Sequence, residues 1–468
     1  MMNEKTSITI ICAGCFLFFT GLLPCLHAQN LSLSLEDAVT LALENNKGME
    51  SANWDWLISR TKAEEAKMKM LPSLSLSAGY QKLSELPPAS IDLGPYFEIP
   101  EPLTNIYTFS ANLQYPVFAG FRLREATMIA SLQSETKLLA LETVKRAIIF
   151  EVRRAYWEAV RATFSVQMLK KNLELTSVNR DLTAKYAAQG TVTKNEELAA
   201  DLRYQKADMD LGDALYRQRS AYLVLAALTG YNTSDIHFAD PSPDTALPFS
   251  LTTAPGDALV RDFGENPDEA GLIAEALSKR PETRLSALSM RLAEHGRKLA
   301  EAGLYPTIAL TGNYTYADPN QRVVFQTDPA LFTGTWAIGI QVIYNIGGLP
   351  ATLKEIEAQG LGINKTQSET EKQKNTILLD VRTCLLNLAR TRRDLTLTKG
   401  MVDQAAENLR VVQQKVDIGM AGNADLLNAQ LQLLQAKFAV TNKQIDLQIA
   451  SSDLSRALAF DDVNENGG

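Results

Sequence analysis

The 468-residue chain carries 46 Lys and Arg against 54 Asp and Glu, a net charge of −8, with 46% hydrophobic and 21% charged residues. That balance is globular rather than disordered, and a pI near 5.2 supplies no basic face for nucleic acid. Charges of both signs are mixed along the polar stretches, which reads as solvated helix faces and not as an acidic tail.

In chain order, Ile8 to Pro24 is almost wholly apolar, follows Lys5 and precedes a small-residue cleavage point at Ala28-Gln29. This is the pattern of a secretory signal over residues 1–28, too short and too terminal for a membrane anchor. Lipid attachment at Cys25, preceded by Pro24, or at Cys15, inside the apolar run, fits less well than simple cleavage. Cys12, Cys15 and Cys25 lie in this segment, so cleavage leaves Cys384 and no disulfide framework. No later apolar run is long enough for a transmembrane helix. Membrane insertion would therefore require a β-barrel.

The rest of the chain is written twice. Leu71-Pro72-Ser73-Leu74-Ser75-Leu76-Ser77-Ala78-Gly79-Tyr80 recurs as Tyr305-Pro306-Thr307-Ile308-Ala309-Leu310-Thr311-Gly312-Asn313-Tyr314, an offset of 234 from Leu71 to Tyr305. Downstream, Glu151-Val152-Arg153 matches Asp380-Val381-Arg382, and Gly190, Leu198, Ala200 and Ala207 match Gly419, Leu427, Ala429 and Ala436, an offset of 229. One shortened loop between strands explains the change. The division is thus 29–230, a proline-rich connector at 231–270, 271–460, and a tail at 461–468.

Each unit predicts a helix (35–69, then 268–303), two strands around a polar loop, a very long helix, a glycine turn and a return helix. The strands alternate with period two. Leu74, Leu76, Ala78 and Tyr80 oppose serines, and Tyr107, Phe109, Ala111, Leu113 and Tyr115 oppose Thr108, Ser110, Asn112 and Gln114. In the second unit Ile308, Leu310, Tyr314 and Tyr316 form one apolar edge, and Trp336, Ile338, Ile340, Val342 and Tyr344 another. Each strand runs about ten residues, enough to cross an outer membrane at a tilt. Tyr80, Tyr107, Tyr115, Tyr314, Tyr316, Trp336 and Tyr344 fall towards strand ends, as in an aromatic girdle. A half-buried soluble sheet would alternate in the same way.

The helices favour the membrane reading. Gly120 to Ala188 and Pro350 to Ile418 lack interior proline, and nearly seventy helical residues span about 100 Å. Leu427, Leu431, Leu434, Phe438, Thr441 and Ile445 step by four and three, a coiled-coil seam. Four strands cannot close a barrel, whose small membrane forms have about eight. Open edges in lipid leave backbone groups unsatisfied. The chain is therefore expected to oligomerise, three copies giving twelve strands, although a tetramer satisfies the same count.

Several segments resemble the TolC outer-membrane efflux family. They are Leu35-Glu36-Asp37-Ala38 with Leu41-Ala42-Leu43-Glu44-Asn45-Asn46, the Leu71-Pro72 strand entry, Tyr115-Pro116-Val117-Phe118-Ala119-Gly120, and Ile418-Gly419-Met420-Ala421-Gly422-Asn423-Ala424-Asp425-Leu426-Leu427-Asn428-Ala429-Gln430. The resemblance implies a mainly α fold with a small β part: a homotrimer whose helical hairpins build a periplasmic α-barrel below a twelve-stranded β-barrel. It further implies a passive conduit for efflux or type I secretion, coupled through a periplasmic adaptor to an inner-membrane RND or ABC pump. Gly190, Thr191, Val192, Gly419, Met420 and Ala421 match the hairpin tips that meet the adaptor. Asp425 matches an acidic constriction position. Asn428 stands where a second aspartate is often found, and Glu196 is the first-copy equivalent of Asp425.

Other signals are weak. Gly360-Leu361-Gly362-Ile363-Asn364-Lys365-Thr366 lacks the Gly-Lys of a phosphate loop. His27, His237 and His295 are too scattered for a metal site, and no nucleophile–base pair or cofactor box is present. The competing reading is a soluble periplasmic or surface coiled-coil scaffold, which has no need of tandem strand pairs.

Overall fold

The computed structural model describes residues 31–84, 104–230, 249–251, 268–319 and 332–460. The expected signal at 1–28, most of the connector and the tail at 461–468 lie outside these residues. The first repeat runs β1 (Leu31–Leu33), α1 (Leu35–Asn45), α2 (Lys47–Met68), β2 (Ser73–Lys82), β3 (Asn105–Ala119), α3 (Arg122–Ala188) and α4 (Lys194–Thr229). The second runs β4 (Phe249–Leu251), α5 (Glu269–Lys279), α6 (Pro281–Glu301), β5 (Thr307–Asp318), β6 (Thr333–Ile343), α7 (Leu349–Asp417) and α8 (Asn423–Ala457). The sequence offsets carry one set of boundaries onto the other: Leu35 to Glu269, Lys47 to Pro281, Ser73 to Thr307, Ala188 to Asp417 and Lys194 to Asn423.

Two expected single helices are each broken in two, at equivalent points. Asn46 ends α1 and caps α2, its Oδ1 accepting the Gly48 N–H at 2.8 Å. A local cap of this kind competes with helix continuation. At the equivalent position Arg280 is extended and Pro281 occupies the first turn of α6, where its missing N–H costs nothing and its ring disfavours a helical predecessor. A parallel pairing of β1 with β4 was not expected from the sequence.

β2, β3, β5 and β6 form one antiparallel sheet in that order. The register pairs Leu76 with Ala111, Ala111 with Tyr314, and Tyr314 with Trp336. The apolar sets predicted for the four strands therefore share one face. A register shift between Pro116 and Phe118 lets β3 continue to Ala119.

Long helices carry the rest. α3 has 67 residues and α7 has 69, each about 100 Å at 1.5 Å per residue. α3 packs along α4, α7 along α8, and α3 along α8, giving the lateral order α4–α3–α8–α7. Ala200, Ala207 and Ala214 are buried at seven-residue intervals on α4, so a heptad of small side chains lets the antiparallel partner approach closely. The largest buried clusters lie where α1 and α5 meet the long helices: Val152, Trp157, Val160 and Ile445 in one, Leu272, Val381, Leu388 and Leu454 in the other.

Beside the second cluster Arg280 is 7% exposed and joins three helices. It donates to Asp380 Oδ2 at 2.7 Å and Glu282 Oε1 at 2.9 Å, while Arg456 donates to Asp380 Oδ1 at 3.0 Å. Burial alone would raise the Asp380 and Glu282 carboxyls. The hydrogen bonds and charges of the two arginines outweigh it and hold both below the usual range.

Candidate functional site

The sheet has two chemically distinct faces. On one, Ser77 and Ser110 hydroxyls lie 2.7 Å apart, Asn313 donates to Asn112 Oδ1 at 2.6 Å, and Thr315 donates to Asn313 Oδ1 at 2.9 Å. On the other, Leu76 is 77% exposed, Ile338 72% and Ile340 74%. A soluble half-buried sheet hides its apolar face, but among the described residues nothing covers this one. No described helix is long and apolar enough to cross a membrane.

The aromatic candidates collect at two levels. Tyr80 and Tyr107 are opposite one another at the loop end, ring centroids 5.0 Å apart, with Tyr80 Oη donating to Asn105 Oδ1 at 3.0 Å. Tyr316 stacks on Phe332 at 5.2 Å, and Tyr314 faces Trp336 in the same half of the sheet. Tyr115 and Tyr344 lie at the helix end, near a cluster of Phe118, Phe121 and Tyr305 that the period-two pattern misses because Phe118 follows the register shift in β3 and the other two lie outside the strands. From Tyr107 to Tyr115 the strand rises about 27 Å at roughly 3.4 Å per residue.

At the far end of the rods both turns use the same device. Gly190 and Gly419 have φ of 72° and 76°. Thr191 N–H donates to Tyr186 O at 3.0 Å and Met420 N–H to Lys415 O at 2.7 Å, closing the last carbonyls of α3 and α7. Glycine takes the left-handed conformation without a Cβ penalty. Met420 is exposed at one tip, and Val192 is half-buried at the other. Tyr186, Thr191, Val192 and Glu196 line a groove of about 640 Å³ with Gly422 and Ala424, so the two tips lie side by side.

Asp425 and Glu196 are equivalent in structure as in sequence. Each is the third residue of its return helix: Glu196 accepts the Thr193 N–H at 3.0 Å and Asp425 the Gly422 N–H at 3.1 Å. Both also meet the helix N-terminal dipole, which favours negative charge there. Asn428 is exposed one turn along. Glu196 lines the groove between the tips, whereas Asp425 and Asn428 do not. Among the described residues no group of histidine, cysteine and acidic side chains could hold a metal.

Sequence comparison agrees with this architecture. The chain matches the family described as outer membrane efflux protein over residues 38–231 and 272–459, one segment per repeat. It is 23% identical to the probable efflux pump outer membrane protein TtgC of Pseudomonas putida over 359 residues, 74% of this chain and 69% of that protein. It is 22% identical to outer membrane protein TolC of Vibrio cholerae over 94% of both chains. Its fold is similar to the Campylobacter jejuni CmeC outer membrane channel, with a TM-score of 0.73 at 17% identity, covering 91% of this chain and 85% of that one. The open Neisseria gonorrhoeae MtrE channel gives 0.69 at 18% identity, over 98% and 97%. The chain belongs to the outer membrane efflux protein family, and its place is the outer membrane.

Proposed function

We propose that three copies close the four-stranded sheet into a twelve-stranded barrel in the outer membrane, and that their hairpins continue the pore through the periplasm as a passive duct. The observation that carries this reading is the sheet itself: among the described residues its largely apolar face has no cover, and the two edge strands, β2 and β6, have a neighbour on one side only. In lipid the apolar face is satisfied and the edges are not, so closure by further copies removes the remaining cost. The two aromatic levels would then sit at the two membrane interfaces as a girdle.

The groove between the tips, lined by Thr191 and Val192, supports docking of a periplasmic adaptor that joins the duct to an inner-membrane RND or ABC pump, with Gly190, Gly419, Met420 and Ala421 of the two turns as further contacts. Asp425, repeated by the symmetry, would form a ring of three carboxylates that attracts cations at the periplasmic mouth. Purified protein in planar bilayers is expected to conduct, with Asp425→Ala lowering cation selectivity. A non-conducting, water-soluble monomer would overturn the duct, and unchanged selectivity in the variant would remove Asp425 from the constriction.

A further inference from the structure

Where the end of α8 meets α3, three cations converge on one small cavity. Arg146, Arg153 and Arg456 line it together with Ser452, Phe150 and Phe460. Arg153 is 8% exposed, so its charge is largely withdrawn from water. No acidic side chain among the described residues lines the cavity. Asp380 answers Arg456 from outside it at 3.0 Å, and Arg146 Nη1 donates to Ala459 O at 3.2 Å. A guanidinium carries about five N–H donors, more than one acceptor can take up.

The walls sharpen the electrostatics. Arg456 lies over the Phe150 ring, 5.2 Å from its centre, and Lys279 Nζ lies 4.7 Å from the centre of the Phe460 ring. Aromatic faces hold these cations. They also keep the local dielectric low, which raises both the repulsion among the cations and the attraction of an anion.

A second observation is independent of the arginines. Ser452 is 4% exposed, and its Oγ is buried with no hydrogen-bond partner among the described residues. Ser286, by contrast, donates to Glu282 O one turn back at 2.9 Å. A buried hydroxyl left unanswered is costly, and a ligand in the cavity would answer it. The chemistry is not inherited from the duplication either. The positions equivalent to Arg146, Ser452 and Arg456 hold Asn375, Leu223 and Ala227.

We propose that this cavity is a carboxylate-binding site. Its volume of about 40 Å³ is room for about three water-sized groups at roughly 10–15 Å³ each. That fits the head group of a carboxylate and excludes a nucleotide or a sugar. A planar carboxylate accepts two parallel N–H bonds from one guanidinium and keeps a lone pair for the Ser452 hydroxyl. Two sources carry this group: a free carboxylate, and the acidic sequence Asp461-Asp462 that directly follows Phe460. The bound anion ties the end of α8 to α3, across the joint of the two repeats. It does so within one copy, so the site does not depend on closure of the duct.

Thermal unfolding of the full-length protein, in detergent at neutral pH and fixed ionic strength, tests the site and its source. If the acidic sequence supplies the carboxylate, Asp461→Asn with Asp462→Asn should lower the midpoint by several degrees, and acetate in place of chloride should restore part of the loss. If a free carboxylate is bound, the same double variant should melt as the native chain does, and acetate should raise the midpoint of both. In the double variant, adding Ser452→Ala, which keeps every arginine, should raise the acetate concentration needed about tenfold, the worth of one hydrogen bond to a charged group. Adding Arg153→Met instead should abolish the response, and where that chain fails to fold Ser452→Ala decides alone. A general salt effect of acetate would survive both substitutions. Equal midpoints of the double variant in acetate and chloride, or an acetate response that Ser452→Ala leaves unchanged, would overturn the site.

Discussion

The two repeats reach the same backbone by different side-chain chemistry. Where the first breaks its leading helix with an asparagine cap, the second uses Arg280 before Pro281, and ties Arg280 to Asp380, Glu282 and Arg456. The first repeat has Asn46, Glu151, Gly48 and Ala227 at those positions, and so has no such network. Where the first ends its return helix on Gly230 at φ 80°, the second ends on Ala459 at φ 56°. What has been kept is the path of the chain, so a substitution should be tolerated according to its local packing and not according to which repeat holds it.

The largest break in that comparison should come from Arg280→Ala. It leaves Asp380 and Glu282 partly buried without their shared cation, which costs about 3–5 kcal/mol for a broken buried pair. The equivalent substitution Asn46→Ala removes only a cap, worth about 1 kcal/mol. Unfolding midpoints in denaturant should rank the two so. The network also sets an acid limit. Its carboxyls titrate below their ordinary values of 3.8 and 4.5, so its stabilisation is complete above that range and is lost as the pH falls through the depressed values. Equal midpoints for the two variants would place the second repeat's stability elsewhere.

Next in size is Gly230→Ala. A Cβ there would lie 2.4 Å from Asn45 Cβ at a positive φ, which adds overpacking to left-handed strain and costs about 2–4 kcal/mol. In the second repeat the residue equivalent to Asn45 is Lys279, whose ammonium lies 4.7 Å from the Phe460 ring centre, and alanine is the native residue. Ala459→Gly should therefore stay within about 1 kcal/mol of neutral, strain relief offsetting the freer unfolded chain. A comparable loss from both substitutions would mean that the two helix ends do not differ as their packing suggests.

The duplication, the four strands, the length of the rods and the glycine turns were legible in the sequence because each rests on local or periodic signals: Leu74 to Tyr80 alternates, and Gly190 and Gly419 stand between helical runs. The breaks at Asn46 and Arg280 were not, since each falls in a polar stretch, Glu44 to Gly48 and Ser278 to Glu282, too short to separate two helices by composition. The pairing of β1 with β4 was hidden because three-residue strands have no period to detect. The Arg280 network ties Arg280 to Asp380, 100 positions away, and Asp380 to Arg456, a further 76, which no spacing reveals. At the tips, the sequence marked Asp425 and Glu196 as a matched pair, but only the backbone shows why both are acidic. Each carboxylate receives the N–H of the residue that opens its helix, a local reason that stands whether or not the acid also faces a pore.

That local role yields the smallest and most direct test. Thr193 opens α4 with a two-way cap: its hydroxyl accepts the Glu196 N–H at 3.3 Å and its N–H donates to Glu196 at 3.0 Å. Gly422 opens α8 with the second bond alone, having no side chain to offer Asp425 N–H. Thr193→Ala should cost about 1 kcal/mol, whereas Gly422→Ser should gain a few tenths. Hydrogen exchange at the first turns of α4 and α8 would read the two ends separately, protection falling in one variant and rising in the other. If Gly422→Ser instead loosens the second tip, the glycine is there for the approach of a neighbour, because within the chain an added Cβ would meet nothing nearer than Asp425 Oδ2 at 3.9 Å.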